Sequence, residues 1–210
     1  MKEDKSIQSI DKKILSRFYG NGRGHVSTPK HFFDLGSREA VAQALSRLTK
    51  SGKLRRIARG LYEYPRTSPV LGELSPDLNK VARAMAGREG IRLQETGAYA
   101  ANLLHLSEQV PMKVVFLTDG TSKKATIGNQ TIELRKAGPK RMKLHERISG
   151  LVFEALREIG KEHITEQHIQ TLQRILTSEQ KGKTLHDLRE APAWMHPHIR
   201  EITKDTNKDG

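Results

Sequence analysis

The chain has 210 residues, which is enough for one or two domains. Its 37 lysines and arginines against 24 aspartates and glutamates give a formal net charge of +13, which favours a polyphosphate partner such as nucleic acid. It has no cysteine, so disulfides, thiolate metal sites and cysteine nucleophiles are excluded. No run approaches the roughly 18 apolar residues that span a bilayer, and the first residues are polar. We therefore expect a cytoplasmic protein with no membrane partner.

The positive charge is concentrated in the first third of the chain. Residues 1–66 hold 15 lysines and arginines and 6 acidic residues, a net charge of +9. Residues 67–210 hold 22 and 18, a net charge of +4. Because a basic surface binds nucleic acid by releasing counterions, this asymmetry predicts that the N-terminal part contacts it.

Residues 28–37 have the pattern of a short helix followed by a sharp turn. Thr28 is a good helix cap, and Pro29 at the first helical position gives up an N–H group that would have no partner there. Residues 31–35 then fit a short helix. Gly36 permits the reversal of the chain, and Ser37 is a suitable cap for the next helix.

The second helix is predicted over about residues 38–50. Val41, Leu45 and Leu48 fall on one arc at helical spacing, so this arc is expected to face a core. The opposite arc carries side chains that are able to read base edges or hold phosphates. Those side chains are Glu39, Gln43, Ser46, Arg47 and Lys50.

A hairpin with several arginines is predicted directly after the second helix. Residues 53–57 and 61–64 are strand-like, and residues 58–60 form its tip. A helix, a turn, a helix and a hairpin occur in this order in a winged helix-turn-helix, whose second helix enters the DNA major groove. The alternative is a small helical core with a solvated basic face. The candidate DNA-binding residues are Thr28, Lys30, Ser37, Arg38, Gln43, Ser46, Arg47, Lys50, Arg55, Arg56 and Arg59.

The rest of the chain predicts a second domain of mixed helices and strands. Residues 67–75, in a segment rich in proline and small polar residues, are expected to be a linker. Residues 76–204 would form the mixed domain, with a hairpin around Gly128-Asn129 and a helical end from Met142, and residues 205–210 a polar tail. The fold class is therefore α+β. The helical end is expected to break near Gly160, Lys181-Gly182 and Ala191-Pro192.

A group of basic residues on and after the second hairpin is a candidate partner-binding surface. These side chains would meet an acidic protein surface or extend the DNA footprint, and a solvated face is the alternative. They are Lys123, Lys124, Arg135, Lys136, Lys140 and Arg141.

No catalytic or metal-binding pattern is found. The nine histidines include no pair at the i, i+4 spacing that places two imidazoles on one helix face. Glu154, Glu158 and Glu162 are four residues apart, which predicts a solvated helix face instead of an acid/base pair. We therefore expect no metal, no cofactor and no enzymatic activity.

The N-terminal pattern resembles a known family. The residues that carry the likeness are Gly36-Ser37, Val41, Ala44-Leu45, Arg47-Leu48, Gly52, Leu54, Ile57, Arg59-Gly60-Leu61-Tyr62 and Pro65. This run resembles the N-terminal winged helix of AbiEi-type antitoxins, the antitoxin half of type IV toxin–antitoxin systems associated with abortive infection by phage. The part of the run from Arg59 to Tyr62, followed by a proline, is its most specific piece.

The resemblance implies a function for each part of the chain. The winged helix of such antitoxins binds inverted repeats of double-stranded DNA in its own promoter and represses the operon. The larger C-terminal domain opposes a nucleotidyltransferase-like toxin that is encoded beside it. On this likeness the chain is a repressor and antitoxin, active as a monomer or a homodimer, and its DNA contacts are the exposed arc of the second helix and the arginines of the wing.

Two other functions compete with this one. The chain is alternatively a stand-alone transcriptional regulator whose C-terminal domain binds an effector or dimerises. A third possibility is an enzyme that acts on nucleic acid with the winged helix as a guide. That enzyme would need an acidic metal cluster or a nucleophile, which the sequence lacks. The sequence does not distinguish the first two.

Overall fold

A computed structural model describes residues 9–87, 90–144 and 147–204. The fold is a mixture of helices and strands with a helical C-terminal part, as the sequence predicts. The chain divides into two compact units, of which the first ends before Gly90 and includes the short segment 125–128. The expected tail, residues 205–210, lies outside the described residues.

The first unit is built from three α-helices, one 3-10 helix and two small sheets in its described part. In chain order its elements are α1 (Ile10–Gly20), β1 (Val26–Ser27), a 3-10 helix (Pro29–Phe32), α2 (Arg38–Lys50), β2 (Arg55–Ala58), β3 (Leu61–Glu63), β4 (Thr67–Ser68), β5 (Gly72–Glu73) and α3 (Leu78–Ala86). The first sheet has the order β1-β3-β2 and is antiparallel, and β4 pairs with β5.

The predicted second helix is confirmed, and the short helix predicted before it is present as a 3-10 helix over Pro29–Phe32, which begins and ends earlier than expected. Helix α2 covers Arg38–Lys50, and the hydroxyl of Ser37 accepts a hydrogen bond from the Ala40 amide at 3.2 Å. Residues 31–35 do not form an α-helix. The segment instead makes i→i+3 bonds such as that from His31 N to Thr28 O, because it is too short to close α-helical turns.

The core of the first unit lies between α1, α2 and the first sheet. Side chains from one face of each helix are buried there, and they include Ile14, Phe18, Val41, Leu45 and Leu48. The arc of α2 that the sequence assigns to a core is therefore the buried face. Its other face is left at the surface.

The segment predicted to be a linker is folded into the first unit. Residues 67–75 contain the β4–β5 hairpin, and the Leu74 amide donates to the Arg66 carbonyl at 2.9 Å. Helix α3, which Asp77 caps and Gly87 ends, also belongs to this unit, where it contacts β1 and β3. The boundary thus lies near residue 90, beyond the expected 67–75. Proline and glycine mark turns in the sequence, but they do not show that a turn bonds back to its own domain.

The second unit has a four-stranded sheet and most of the helices. Its elements are β6 (Leu93–Thr96), α4 (Gly97–Leu103), β7 (Lys113–Thr118), β8 (Lys123–Ile127, of which residues 125–127 are counted with the first unit), β9 (Gln130–Lys136), α5 (Ile148–Ile159), α6 (Glu166–Ile175), α7 (Ser178–His186) and α8 (His196–Ile202), with 3-10 helices at Lys161–His163, Asp187–Glu190 and Ala193–Met195. The strand order is β6-β7-β9-β8. Strand β6 is antiparallel to β7, while β7 and β9 are parallel.

The core of the second unit is mostly helical. Residues such as Val152, Phe153, Leu156, Leu172 and Ile199 are buried together. The predicted breaks near Gly160 and Ala191-Pro192 are confirmed.

The predicted break at Lys181-Gly182 is wrong. Helix α7 continues through it, because Thr177 and Gln180 form a reciprocal cap at its start and Lys181 is buried against the unit. A single glycine inside a packed helix is tolerated.

A buried ion pair joins the strands of the first unit. Glu63 in β3 has no exposed surface, and its Oε2 accepts bonds from Arg55 Nε at 3.0 Å and Nη2 at 2.5 Å. Arg55 also donates to Glu73 Oε2 at 3.0 Å and to the Leu74 carbonyl at 2.8 Å. One guanidinium group therefore ties β2 to β3 and to the β4–β5 hairpin.

We expect Arg55→Ala to destabilise the protein far more than Arg56→Ala does. Loss of Arg55 leaves the Glu63 carboxylate buried without its cation, which costs about 3 kcal/mol of unfolding free energy. The neighbouring Arg56 is exposed, so its loss should change stability by less than about 0.5 kcal/mol. Urea unfolding of the two full-length variants measures the difference, and equal costs would contradict a stabilising role for the Arg55–Glu63 pair.

Candidate nucleic-acid interface

The outward face of α2 collects most of the side chains that the sequence assigns to base reading. Arg38, Gln43, Ser46, Arg47 and Lys50 are all exposed. In the part of the chain that the structure describes, Gln43, Ser46 and Lys50 make no side-chain hydrogen bond or ion pair. Their donors and acceptors are therefore available to a ligand.

Arg47 is the exception on this face, because a carboxylate already holds it. Its Nε and Nη2 donate to the two oxygens of Asp11 at 3.0 and 2.6 Å. The hydrogen bond from Arg47 holds the pKa of Asp11 below its usual range, and the same bond raises the pKa of the Arg47 guanidinium. This is a bidentate ion pair, and it uses the same Nε and Nη2 donors that would bind a guanine edge or a phosphate.

Two of the predicted residues on α2 have local roles. The Ser37 hydroxyl caps the helix. The guanidinium carbon of Arg38 lies 5.4 Å from the centroid of the Phe33 ring, which is a cation–π contact. Arg38 remains exposed, so its position beside the ring still leaves its N–H groups at the surface.

The short 3-10 helix before α2 carries the other two N-terminal candidates. Lys30 is exposed, and Thr28 is partly buried. The Thr28 amide donates to Nδ1 of His31 at 3.2 Å, and burial lowers the pKa of that imidazole. A neutral His31 is the form that accepts this bond, so it helps to fix the backbone ahead of the turn.

The arginines of the β2–β3 hairpin divide into one inward and two outward side chains. Arg55 is three-quarters buried and its guanidinium group is used within the unit. Arg56 and Arg59 are exposed, and neither has a partner among the described residues. Gly60 beside the tip has a φ of +74°, a conformation that keeps the turn tight.

Sequence reasoning did not find two contributors to this surface. Asp11 lies 36 residues from Arg47 in the chain, and no local pattern links them. Lys53 is exposed and precedes β2, where its charge adds to that of the hairpin. The sequence signal that could have identified Lys53 is its place in the basic run of residues 53–59.

The candidate partner-binding residues of the second unit fall into two groups. Lys123, Lys124 and Lys136 are exposed on β8 and β9. Arg135 and Arg141 line one cavity together, and Lys140 and Arg141 line a neighbouring one. Arg135 is paired with Glu133 at 3.0 Å.

The prediction of a solvated glutamate face on α5 is wrong for its first member. Glu154 is only 7% exposed, and Arg141 and Arg157 both bind its carboxylate. The i, i+4 spacing does not reveal this, since Glu154 lies on the side of α5 that faces its own unit. Arg141 also comes from outside the helix.

Other kinds of site are not seen in the described residues. They include no group of three or more histidines, aspartates and glutamates placed to hold a metal ion. None of their helices has the length and apolar character needed to cross a membrane.

Comparison with known proteins places the chain in a family. The model of DUF6088, described as a family of unknown function, matches residues 12–184. No curated protein matches the chain. Because the family match extends from α1 to α7 and covers well over half of the sequence, this chain belongs to the DUF6088 family.

Proposed function

We propose that the first unit is a winged helix-turn-helix domain that binds double-stranded DNA, with α2 in the major groove and the β2–β3 hairpin along the phosphate backbone. The observation that carries this proposal is a set of polar side chains on these two elements that have no partner in the part of the chain that the structure describes. They are Gln43, Ser46, Lys50, Arg56 and Arg59.

The dimensions and chemistry of these elements suit such a complex. Helix α2 has 13 residues, so it is about 20 Å long, and its buried face leaves a continuous polar face outward. Gln43 is suited to adenine, and Arg47 is suited to guanine once it leaves Asp11. The hairpin arginines match phosphate oxygens, which position a protein on DNA without reading its sequence.

We further propose that the chain is a repressor and antitoxin. The support is the likeness of residues 36–65 to the AbiEi-type winged helix. On this proposal the first unit represses its own operon at inverted repeats, and the second unit counteracts a nucleotidyltransferase-like toxin. The exposed Lys123, Lys124 and Lys136 offer positive charge to an acidic toxin surface.

One feature favours the second candidate, a stand-alone regulator with an effector-binding domain. The second unit contains a cavity of about 620 Å³, within the range of small-molecule sites. Gene neighbourhood discriminates between the two, because an antitoxin requires a toxin gene beside it.

The wing is expected to supply salt-dependent, sequence-independent affinity. Arg59→Ala should weaken binding to every duplex by a similar factor and reduce the slope of log K against log salt by about 0.9, the value for one phosphate contact. Titration of the full chain with two unrelated duplexes at several salt concentrations measures both effects. Arg174→Ala, which removes an exposed arginine from α6, is the charge-matched control. If wild-type protein binds no duplex at low salt, DNA binding is not the function.

Release of Arg47 from Asp11 is expected to be a step in DNA binding. Arg47→Ala should cost roughly 1–3 kcal/mol at the operator and relax sequence preference. Asp11→Asn should tighten operator binding about two- to fivefold, since the exposed ion pair that competes for Arg47 is then lost.

The same Asp11→Asn change in the Arg47→Ala background is the control, because it alters the charge equally without a guanidinium to release. Equal effects of Asp11→Asn in both backgrounds would mean that Asp11 acts only through its charge.

The antitoxin role makes a separate prediction in cells. The proposed toxin is the nucleotidyltransferase-like protein encoded beside this chain, and its expression alone should prevent growth. Co-expression of the full chain should restore growth. A variant that carries both Arg56→Ala and Arg59→Ala should still restore growth under a foreign promoter, because the proposed toxin contact lies in the second unit. Growth arrest that persists with wild-type protein would refute the antitoxin proposal and leave DNA binding untouched.

A further inference from the structure

The second unit contains two adjoining cavities that share a pair of arginines. The larger, of about 620 Å³, is lined by parts of β6, residues 140–144, α5 and residues 189–192. The smaller has about 330 Å³. Arg141, Glu154 and Arg157 line both, so this ion-paired group lies where the cavities meet.

The buried Glu154 carboxylate fixes the two arginines in place. Its Oε2 accepts a bond from Arg141 Nη2 at 3.3 Å, and its Oε1 is bonded by Arg157 Nη1. The Glu154 side chain is 9% exposed, whereas those of Arg141 and Arg157 are 53% and 41% exposed. Each guanidinium group has five N–H donors, and the described contacts use one nitrogen of each. The remaining donors are positioned and have no partner among the described residues, which is the arrangement that binds phosphate oxygens.

The larger cavity has an excess of positive charge. Lys140 and Arg189 line it beside the two arginines, while its carboxylates are those of Glu154 and Glu190. Lys143, which does not line the cavity, already binds the Glu190 carboxylate. The charge that remains for a ligand is therefore positive.

An unsatisfied acceptor lies at the β6 side of the same cavity. Gln94 is 2% exposed and lines the cavity, and its Nε2 donates to the Glu95 carbonyl at 3.2 Å. Its buried Oε1 has no hydrogen-bond partner among the described residues. A buried acceptor without a donor is unfavourable, so a ligand that brings an N–H or O–H group to Gln94 gains from satisfying it.

Glycine at position 150 allows this arrangement. A Cβ atom there would lie 2.4 Å from the Leu144 carbonyl oxygen and 2.6 Å from Gln94 Oε1. The start of α5 therefore approaches the Gln94 amide more closely than any other residue type permits. Apolar side chains complete the wall, among them Leu144, Phe153 and Pro192.

We propose that this cavity binds a nucleotide. Its phosphate lies on Arg141 and Arg157, its base lies against the apolar wall, and a donor group on the base or ribose meets Gln94. A phosphate group alone would use the arginines but not the wall or the amide. The volume exceeds that of a mononucleotide and falls within the range of ligand sites.

Calorimetric titration of the full-length protein tests the proposal with defined probes. Adenosine and guanosine mono- and triphosphates are compared with the matching nucleosides and with inorganic phosphate. At least one nucleotide should bind about tenfold or more tightly than its nucleoside and than phosphate. Absence of nucleotide binding at millimolar concentration overturns the proposal, and equal binding of inorganic phosphate overturns the nucleotide as its ligand.

Variants assign the binding to this cavity. Arg141→Gln should weaken nucleotide binding about tenfold or more, and Gln94→Leu should reduce the preference for nucleotide over phosphate. Arg174→Gln, an exposed arginine of α6 that does not line the cavity, is the matched control and should leave binding unchanged. Nucleotide binding that survives Arg141→Gln overturns the assignment.

A measurement on the wild-type protein guards against variants that fail to fold. Nucleotide should slow amide hydrogen exchange in residues 140–144 and 150–157, and a lack of protection there overturns the proposal. If Arg141→Gln instead weakens duplex DNA binding and no nucleotide binds, these arginines are DNA contacts. The DNA titrations of the wing variants remain interpretable in every case, since they need no nucleotide.

Discussion

The first unit depends on a carboxylate that has no contact with water. Glu63 in β3 lies opposite Val26 of β1 and Arg55 of β2, so its position in the register is common to all three strands of the sheet. Burial of an ionised group is costly unless a cation and hydrogen bonds compensate it. Arg55 supplies both to Glu63 Oε2, whereas the buried Oε1 has no hydrogen-bond partner among the described residues. The remaining donors of Arg55 reach Glu73 and Leu74. This single pair ties β2 to β3 and, through the other donors of Arg55, to the β4–β5 segment that follows.

The second unit uses buried carboxylates in a related way. Glu154 holds Arg141 and Arg157, and Asp187, which is 5% exposed, accepts bonds from Ser149 at 2.6 Å and Arg147 at 3.1 Å. In each case the carboxylate is buried in the unit, and the arginines that bind it are exposed at the surface. An arginine held in this way keeps unused donors at a defined position. Such preorganisation lowers the entropic cost of ordering these side chains when a ligand binds.

The two units therefore offer different kinds of positive surface. In the first, most of the exposed basic groups on α2 and the hairpin have no ion-pair partner within the described part of the chain, which suits the many phosphates of a duplex and a binding mode sensitive to salt. In the second, the Arg141–Glu154–Arg157 group lines two adjoining cavities, which suits a small anionic ligand. On α2, the Asp11 carboxylate competes with a DNA ligand for the N–H donors of Arg47.

Local patterns in the sequence were sufficient for much of the first unit. Helix α2 could be predicted from the Ser37 cap and the spacing of Val41, Leu45 and Leu48, because capping and amphipathic periodicity act within a few residues. The β2–β3 hairpin could be predicted from two strand-like runs on either side of the turn at residues 58–60, which is also a local signal. The exposed positions of Gln43, Ser46 and Lys50 then followed from helix geometry alone.

Tertiary structure decided the features that depend on residues far apart in the chain. Arg47 was predicted on the exposed arc of the helix, and the helix pattern gives no sign of its partner Asp11, 36 positions earlier. Glu154 was expected in water, but α5 packs that face inward, and Arg141 reaches it from a different segment. The segment 67–75 had the composition of a linker, although its backbone bonds return it to the first unit. The sequence by itself determined helix α2, the β2–β3 hairpin and the exposed face of α2. Only the tertiary structure decided which charges are paired, because an ion pair depends on the distance between groups in space and leaves no periodic signal in the chain.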